Sequence, residues 1–119
     1  MKNESATPHK LHSKDLESWL LKKPTDLLLI DVREDYELEI AAFPAQVLHL
    51  PLSKYQSWVD DLNSKNLDKK KVIVICHSGI RSLNFALWLI DNRFLTNVWN
   101  LEGGIDAWSR LVDSSIPRY

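Results

Sequence analysis

Cys76 is the only cysteine in the chain, and it stands in Cys76-His77-Ser78-Gly79-Ile80-Arg81-Ser82. A lone cysteine is commonly a small buried apolar residue, so its setting decides what it can do. Before it runs Val72-Ile73-Val74-Ile75, a β-branched stretch that reads as a buried strand. After it Leu83, Ala86, Leu87 and Ile90 recur as one helical stripe. The thiol therefore falls in the loop between a strand and the start of a helix. Unpaired backbone N–H groups and the positive end of the helix dipole stabilise an anion at such a place. A curved run of amides from His77 to Arg81 would form a nest around the sulfur, and the Arg81 guanidinium acts in the same direction. Together these favour thiolate, the nucleophilic form, over thiol.

Gly79 gives the loop a backbone geometry that a side chain would obstruct. Taken singly, Gly79 reads as a turn glycine, Arg81 as a solvated helix residue and Ser82 as a helix start. Taken as strand, cysteine, small loop, glycine, arginine and helix, the set reads as a reactive, nucleophilic thiol. His77 contributes its backbone N–H more than its ring. Asp31 and Arg33 follow the apolar run Leu27–Ile30 and face the same rim, either as supporting site residues or as an ion pair that holds the loop. His9, His12 and His49 have no spacing that suits a metal, and no cofactor is expected.

The elements that must position these residues alternate along the chain. Ser13 is expected to cap a helix carrying Leu16, Trp19 and Leu20, stopped by Pro24. Leu27–Ile30 reads as a strand buried on both faces, and Val47–Leu50 as a short strand closed by Pro51. Ser53 is expected to cap a helix with Tyr55, Trp58, Val59 and Leu62 on one face. Residues 63–71 read as a solvated loop. A strand around Asn97–Leu101 precedes Gly103-Gly104, a tight turn that brings backbone near the Cys76 loop, and then a final helix. Trp58, Trp88 and Trp108 are assigned to the core. This alternation implies an α/β fold with a small, mostly parallel sheet of about five strands and helices on both faces. Strand carboxyl ends then share one edge, so Asp31 and Cys76 are expected on a common rim.

With 119 residues the chain suits one domain, a polar tail over 1–10 followed by a folded unit over 11–119. A net charge of −1 gives no basic surface for nucleic acid. No apolar run approaches the ~20 residues needed to span a bilayer. The amino-terminal ten residues lack the apolar core of a signal peptide, and a single cysteine gives no internal disulfide. A cytoplasmic location is expected.

Residues 76–82, "CHSGIRS", resemble the active-site loop of the rhodanese family, of pattern C-x-x-G-x-R-S. "LLIDVRE", residues 28–34, resembles the family's upstream signature and "LEGGIDAW", residues 101–108, its downstream one. The resemblance extends from about Leu11 onward. It implies a single-domain rhodanese-like fold and transfer of a sulfane sulfur, from thiosulfate or a persulfide, through a persulfide on Cys76. In that reading the amides of His77, Ser78, Gly79, Ile80 and Arg81 hold the persulfide, and Arg81 orients an anionic donor. The acceptor is cyanide or a thiol.

Related cysteine phosphatases use H-C-x5-R. Here four residues separate Cys76 from Arg81 and Ile75 precedes the cysteine; the shorter ring of amides suits one sulfur atom better than a tetrahedral oxyanion. Residues 39–46, "EIAAFPAQ", depart from the family's usual glycine-histidine-isoleucine stretch. They resemble, as does "VDSSIPRY" at 112–119, rhodanese domains fused to ubiquitin-activating-type adenylyltransferases, which pass sulfur to a ubiquitin-like carrier protein. The alternatives are that role as sulfur donor to a carrier or thiol protein, and a non-catalytic binding or regulatory module.

Overall fold

The β-branched run forms a strand one residue longer than its sequence signal, β4 at Lys71–Ile75. The computed structural model describes residues 6–93 and 95–119. Within them β4 pairs on both sides in a five-stranded, wholly parallel sheet. The other strands are β1 His9–Leu11, β2 Leu27–Asp31, β3 Leu48–His49 and β5 Val98–Leu101, in the order β1-β5-β4-β2-β3. Helices α1 Ser13–Leu21, α2 Asp35–Ile40, α3 Tyr55–Asn63 and α4 Ile80–Arg93 lie between successive strands, and α5 Gly104–Leu111 follows β5. The α/β class read from the sequence is the observed one.

Strand side chains alternate between faces, and the core divides accordingly. Ile30, Val72 and Val74 pack with Trp58 and Leu62 of α3 and Phe85, Ala86 and Leu89 of α4. Leu29, Ile73 and Ile75 pack with Leu16 of α1 and Ile105 and Trp108 of α5. The "EIAAFPAQ" stretch sends Ala41 and Phe43 into this second core, with the Phe43 ring 4.8 Å from that of Trp108.

From β2 the chain moves outward to β3, then returns as β4 on the other side of β2. The carboxyl ends of β2 and β4 thus flank the point where the winding reverses, where sheets of this kind bind ligands. Asp31 pairs in register with Ile75. Asp31 and Cys76 do share a rim.

Several local expectations are corrected. Ser13 is not a cap: the chain leaves β1 in extended conformation at His12, which becomes the N-cap, and the Ser13 hydroxyl is buried without a hydrogen-bond partner. Ser53 is not one either. Leu52–Lys54 form a 3-10 turn, Lys54 is the N-cap of α3, and the Ser53 N–H and hydroxyl both donate to Glu34. The buried stripe of α4 is Ser82, Phe85, Ala86, Leu89 and Ile90, leaving Leu83 exposed. Trp88 is only half-buried, beside the α3–α4 core. The loop before β4 holds a 3-10 turn, Leu67–Lys69, that buries Leu67. His9 and Lys10, in the segment read as a polar tail, join the sheet as β1 against β5; residues 1–5 of that segment lie outside the described residues. Among the described residues no helix is long and apolar enough to cross a membrane.

Candidate active site

The period-two alternation of β4 carries one residue beyond the strand. Cys76 takes the same face as Val72 and Val74 and is only 1% exposed, in the α3–α4 core. Its sulfur is nevertheless not in an apolar setting alone. The Gly79 N–H donates to Sγ at 3.0 Å, and the Ser82 hydroxyl lies 3.2 Å from Sγ and 2.6 Å from Asn100 Oδ1. That hydroxyl has one proton and is within reach of both acceptors. Asn100, buried on β5, fixes the arrangement by donating through Nδ2 to the Gly79 carbonyl and to Glu102 Oε2, both at 3.1 Å.

Gly79 can aim its amide inward because it has φ +99°, a left-handed conformation suited to glycine. The carbonyls of Cys76 and His77 face the other way. The first N–H groups of α5, which have no partner inside their own helix, donate to them: Ile105 N–H to the Cys76 carbonyl at 2.9 Å and Asp106 N–H to the His77 carbonyl at 3.0 Å. The Gly103-Gly104 turn therefore does bring backbone against the Cys76 loop.

At the other end of the loop, Arg81 forms a two-pronged ion pair with Glu37 of α2. Nη1 donates to Oε1 at 2.7 Å and Nη2 to Oε2 at 2.8 Å. Glu37 is in place because Glu34 and Glu37 form a capping box: the Glu34 side chain takes the Glu37 N–H while Glu37 Oε1 accepts the Glu34 N–H at 3.1 Å. Glu37 Oε2 also accepts from the Tyr119 hydroxyl at 2.8 Å. The Arg81 contact, aided by the Glu34 and Tyr119 donors and opposed by burial, holds the Glu37 carboxyl at about 2. Glu37 in turn raises Arg81 above its ordinary value, against the opposing effect of burial. Burial, reinforced by the Glu37 carboxylate and opposed by Arg33, pushes Tyr119 up to about 12.

Asp31 and Arg33 behave as the structural ion pair. Both side chains are fully buried, with Nε donating to Oδ1 at 3.0 Å and Nη2 to Oδ2 at 2.8 Å. Arg33 Nη1 donates to the Tyr119 hydroxyl at 3.0 Å, which joins this pair to the Glu37–Arg81 pair. The His77 ring is stacked against Tyr119, centroids 4.1 Å apart and planes 10° from parallel. Ser78 and Ile80 face outward.

Of the residues singled out from sequence, Cys76, Gly79 and Ser82 meet at the sulfur. Arg81 closes the loop with its guanidinium turned to a carboxylate, a partner the sequence reading did not supply. Glu37, Asn100 and Tyr119 were missed. The Glu-x-x-Glu spacing of 34–37 was a usable signal for Glu37, and a polar residue inside the strand 98–101 was a weak one for Asn100. Beside Arg81 a groove of about 270 Å³ is lined by Leu52, Tyr55, Trp58, Phe85 and Trp88, and gives the loop an apolar flank.

Residues 13–111 match the family model described as a rhodanese-like domain. The chain is 38% identical over 96 residues to a thiosulfate sulfurtransferase, GlpE, of Coxiella burnetii, covering 78% of this chain and 81% of that protein. It is 44% identical over 91 residues to the chloroplastic rhodanese-like/PpiC domain-containing protein 12 of Arabidopsis thaliana. That match takes in 76% of this chain but only 30% of the plant protein. Among solved structures, a rhodanese-like domain protein of Staphylococcus aureus superposes with a TM-score of 0.70 at 25% identity, covering 93% of this chain and 98% of that one.

Proposed function

The chain belongs to the rhodanese-like domain family, and on that premise we propose that it is a sulfurtransferase with Cys76 as nucleophile and sulfur carrier. One observation carries this: an inward amide and a hydroxyl converge on the sole thiol, in a loop whose Cys76 and His77 carbonyls are drawn away by α5. Such a pocket stabilises a charged sulfur whether it belongs to the thiolate or to a persulfide.

The donor is an anionic sulfane-sulfur compound, for which thiosulfate is the probe; the Coxiella relative's name supports that choice. The Cys76 thiolate attacks the outer sulfur of thiosulfate. The sulfur–sulfur bond of thiosulfate breaks, a new one forms to Sγ, and sulfite leaves with the electron pair. Charge is conserved, and the protein is left as Cys76–S–S⁻. A nucleophilic acceptor such as cyanide or a thiolate then takes the terminal sulfur and regenerates the thiolate. These residues hold no second thiol to resolve the persulfide, and the acceptor is a thiol elsewhere, on a small molecule or on a thiol-bearing or sulfur-carrier protein.

Steady-state transfer from thiosulfate to cyanide tests the proposal, run beside p-nitrophenyl phosphate hydrolysis with wild type and Cys76→Ser. Thiocyanate formation by wild type, abolished in the serine variant, is expected, with no appreciable phosphate release. Wild-type rates in the serine variant would remove Cys76 from the carrier role.

A further inference from the structure

Tyr119 touches one flank of the Cys76–Arg81 loop and reaches the other through a carboxylate. Its ring lies flat on His77, the residue after the nucleophile. Its hydroxyl donates to Glu37 Oε2, which Arg81 Nη2 also contacts, so it reaches the loop's far end through one carboxylate. The same hydroxyl accepts from Arg33 Nη1. The segment that delivers it is anchored: Ile116 packs against the α1–α5 core, the Ser109 hydroxyl donates to the Ile116 carbonyl at 2.6 Å, and Arg118 Nε donates to Asp106 Oδ1 at 2.8 Å. Asp106 is also the residue whose N–H holds the His77 carbonyl. Tail and loop are thus tied to one point on α5.

We propose that Tyr119 is a positioning residue of this site: it fixes Arg81 through Glu37 and roofs His77, and so governs how an anionic sulfur donor is received. The identity of that donor rests on the sulfurtransferase reading. A guanidinium paired side-on with a carboxylate still has N–H groups to offer an anion. Their direction is set by the carboxylate, and the carboxylate is pinned by the phenol. Without the hydroxyl, Glu37 Oε2 loses a donor and Arg33 Nη1 an acceptor, so the carboxylate that aims Arg81 is held by one contact fewer. Without the ring, His77, next to the nucleophile, loses its cover.

The test uses the full chain with Tyr119→Phe, which keeps the ring, and Tyr119→Leu, which removes ring and hydroxyl. Two readouts are taken: thiosulfate steady-state kinetics, and alkylation of Cys76 by anionic iodoacetate against neutral iodoacetamide. Tyr119→Phe is expected to raise the thiosulfate KM about fivefold with kcat within about twofold, the scale of one typical net hydrogen bond. It should lower the iodoacetate-to-iodoacetamide rate ratio by a similar factor while iodoacetamide alone reacts at the wild-type rate. Tyr119→Leu should show the same ratio change and also faster iodoacetamide alkylation, by roughly fivefold or more, as the cover is lost. Wild-type KM together with a wild-type alkylation ratio in Tyr119→Phe would overturn the proposal, whether or not the leucine variant folds. If wild type transfers no sulfur, the sulfurtransferase reading fails, and the alkylation ratio alone still decides the role of Tyr119.

Discussion

Gly104 sits against the carbonyl of Cys76 so closely that a Cβ built on it would fall 2.4 Å from that oxygen and 2.4 Å from the His77 oxygen. Its φ of +60° adds a second demand for glycine. This close approach lets the first amides of α5 reach the loop carbonyls. Gly104→Ala is therefore expected to cost about 2–4 kcal/mol, from backbone strain and overpacking against carbonyls that cannot move without unseating the nucleophile. Urea unfolding measures it; a loss under about 0.5 kcal/mol, the range of an ordinary surface substitution, would contradict the contact.

Glu37 makes stability sensitive to acid. Its carboxyl is held at about 2 in the fold against an ordinary 4.5. A depressed folded value means the contribution is complete above the ordinary value and is lost as pH falls from there toward about 2. Glu37→Gln removes that proton linkage and leaves Arg81 without its partner. The variant is expected to be less stable at neutral pH, by about 2–4 kcal/mol, and its unfolding free energy should fall less steeply between pH 4.5 and 2 than that of wild type. Parallel pH slopes would show that Glu37 is not the group responsible.

The buried Asp31–Arg33 pair should act through the fold. Asp31→Asn leaves a fully buried guanidinium without its counter-charge and is expected to cost about 3–5 kcal/mol, whereas replacing both partners by apolar residues of similar volume should recover much of the loss. A double-mutant cycle in urea gives the coupling. Additive single effects would mean that the two side chains do not support each other.

Ser82 links the sulfur to Asn100. Ser82→Ala removes the hydroxyl 3.2 Å from Sγ and strands Asn100 Oδ1. Alkylation of Cys76 by iodoacetamide is expected to slow roughly three- to tenfold, with a stability loss of about 1–2 kcal/mol. Unchanged alkylation would show that the amide of Gly79 suffices.

The sequence is most legible where one local rule governs. Val72–Ile75 forms a strand because it is β-branched and apolar on both faces, and the change to helical spacing after it marks the loop that holds Cys76. The pairing of Asp31 with Arg33 and the approach of Gly103-Gly104 to the loop follow from short motifs at strand ends. Legibility stops where a residue's role is set by distant chain. The Tyr119 hydroxyl finds Arg33 and Glu37 at separations of 86 and 82 positions, and no local pattern encodes that. α2 is six residues long, too short for periodicity to announce, and only its capping box betrays it. Ser13 and Ser53 had the right type for caps but stood one residue off, because the preceding strand and the turn after Pro51 set where each helix begins. β1 is three residues, two of them polar, and it exists because the edge of β5 is there to pair with.

Intact-mass measurement of the reduced protein after incubation with thiosulfate tests sulfur carriage most directly. Wild type is expected to gain the mass of one sulfur atom, localised by peptide mapping to Cys76 and removed by cyanide, and Cys76→Ser is expected to gain nothing. A wild-type protein that stays at its reduced mass, or a serine variant that takes up the same sulfur, would contradict the assignment of Cys76 as the carrier.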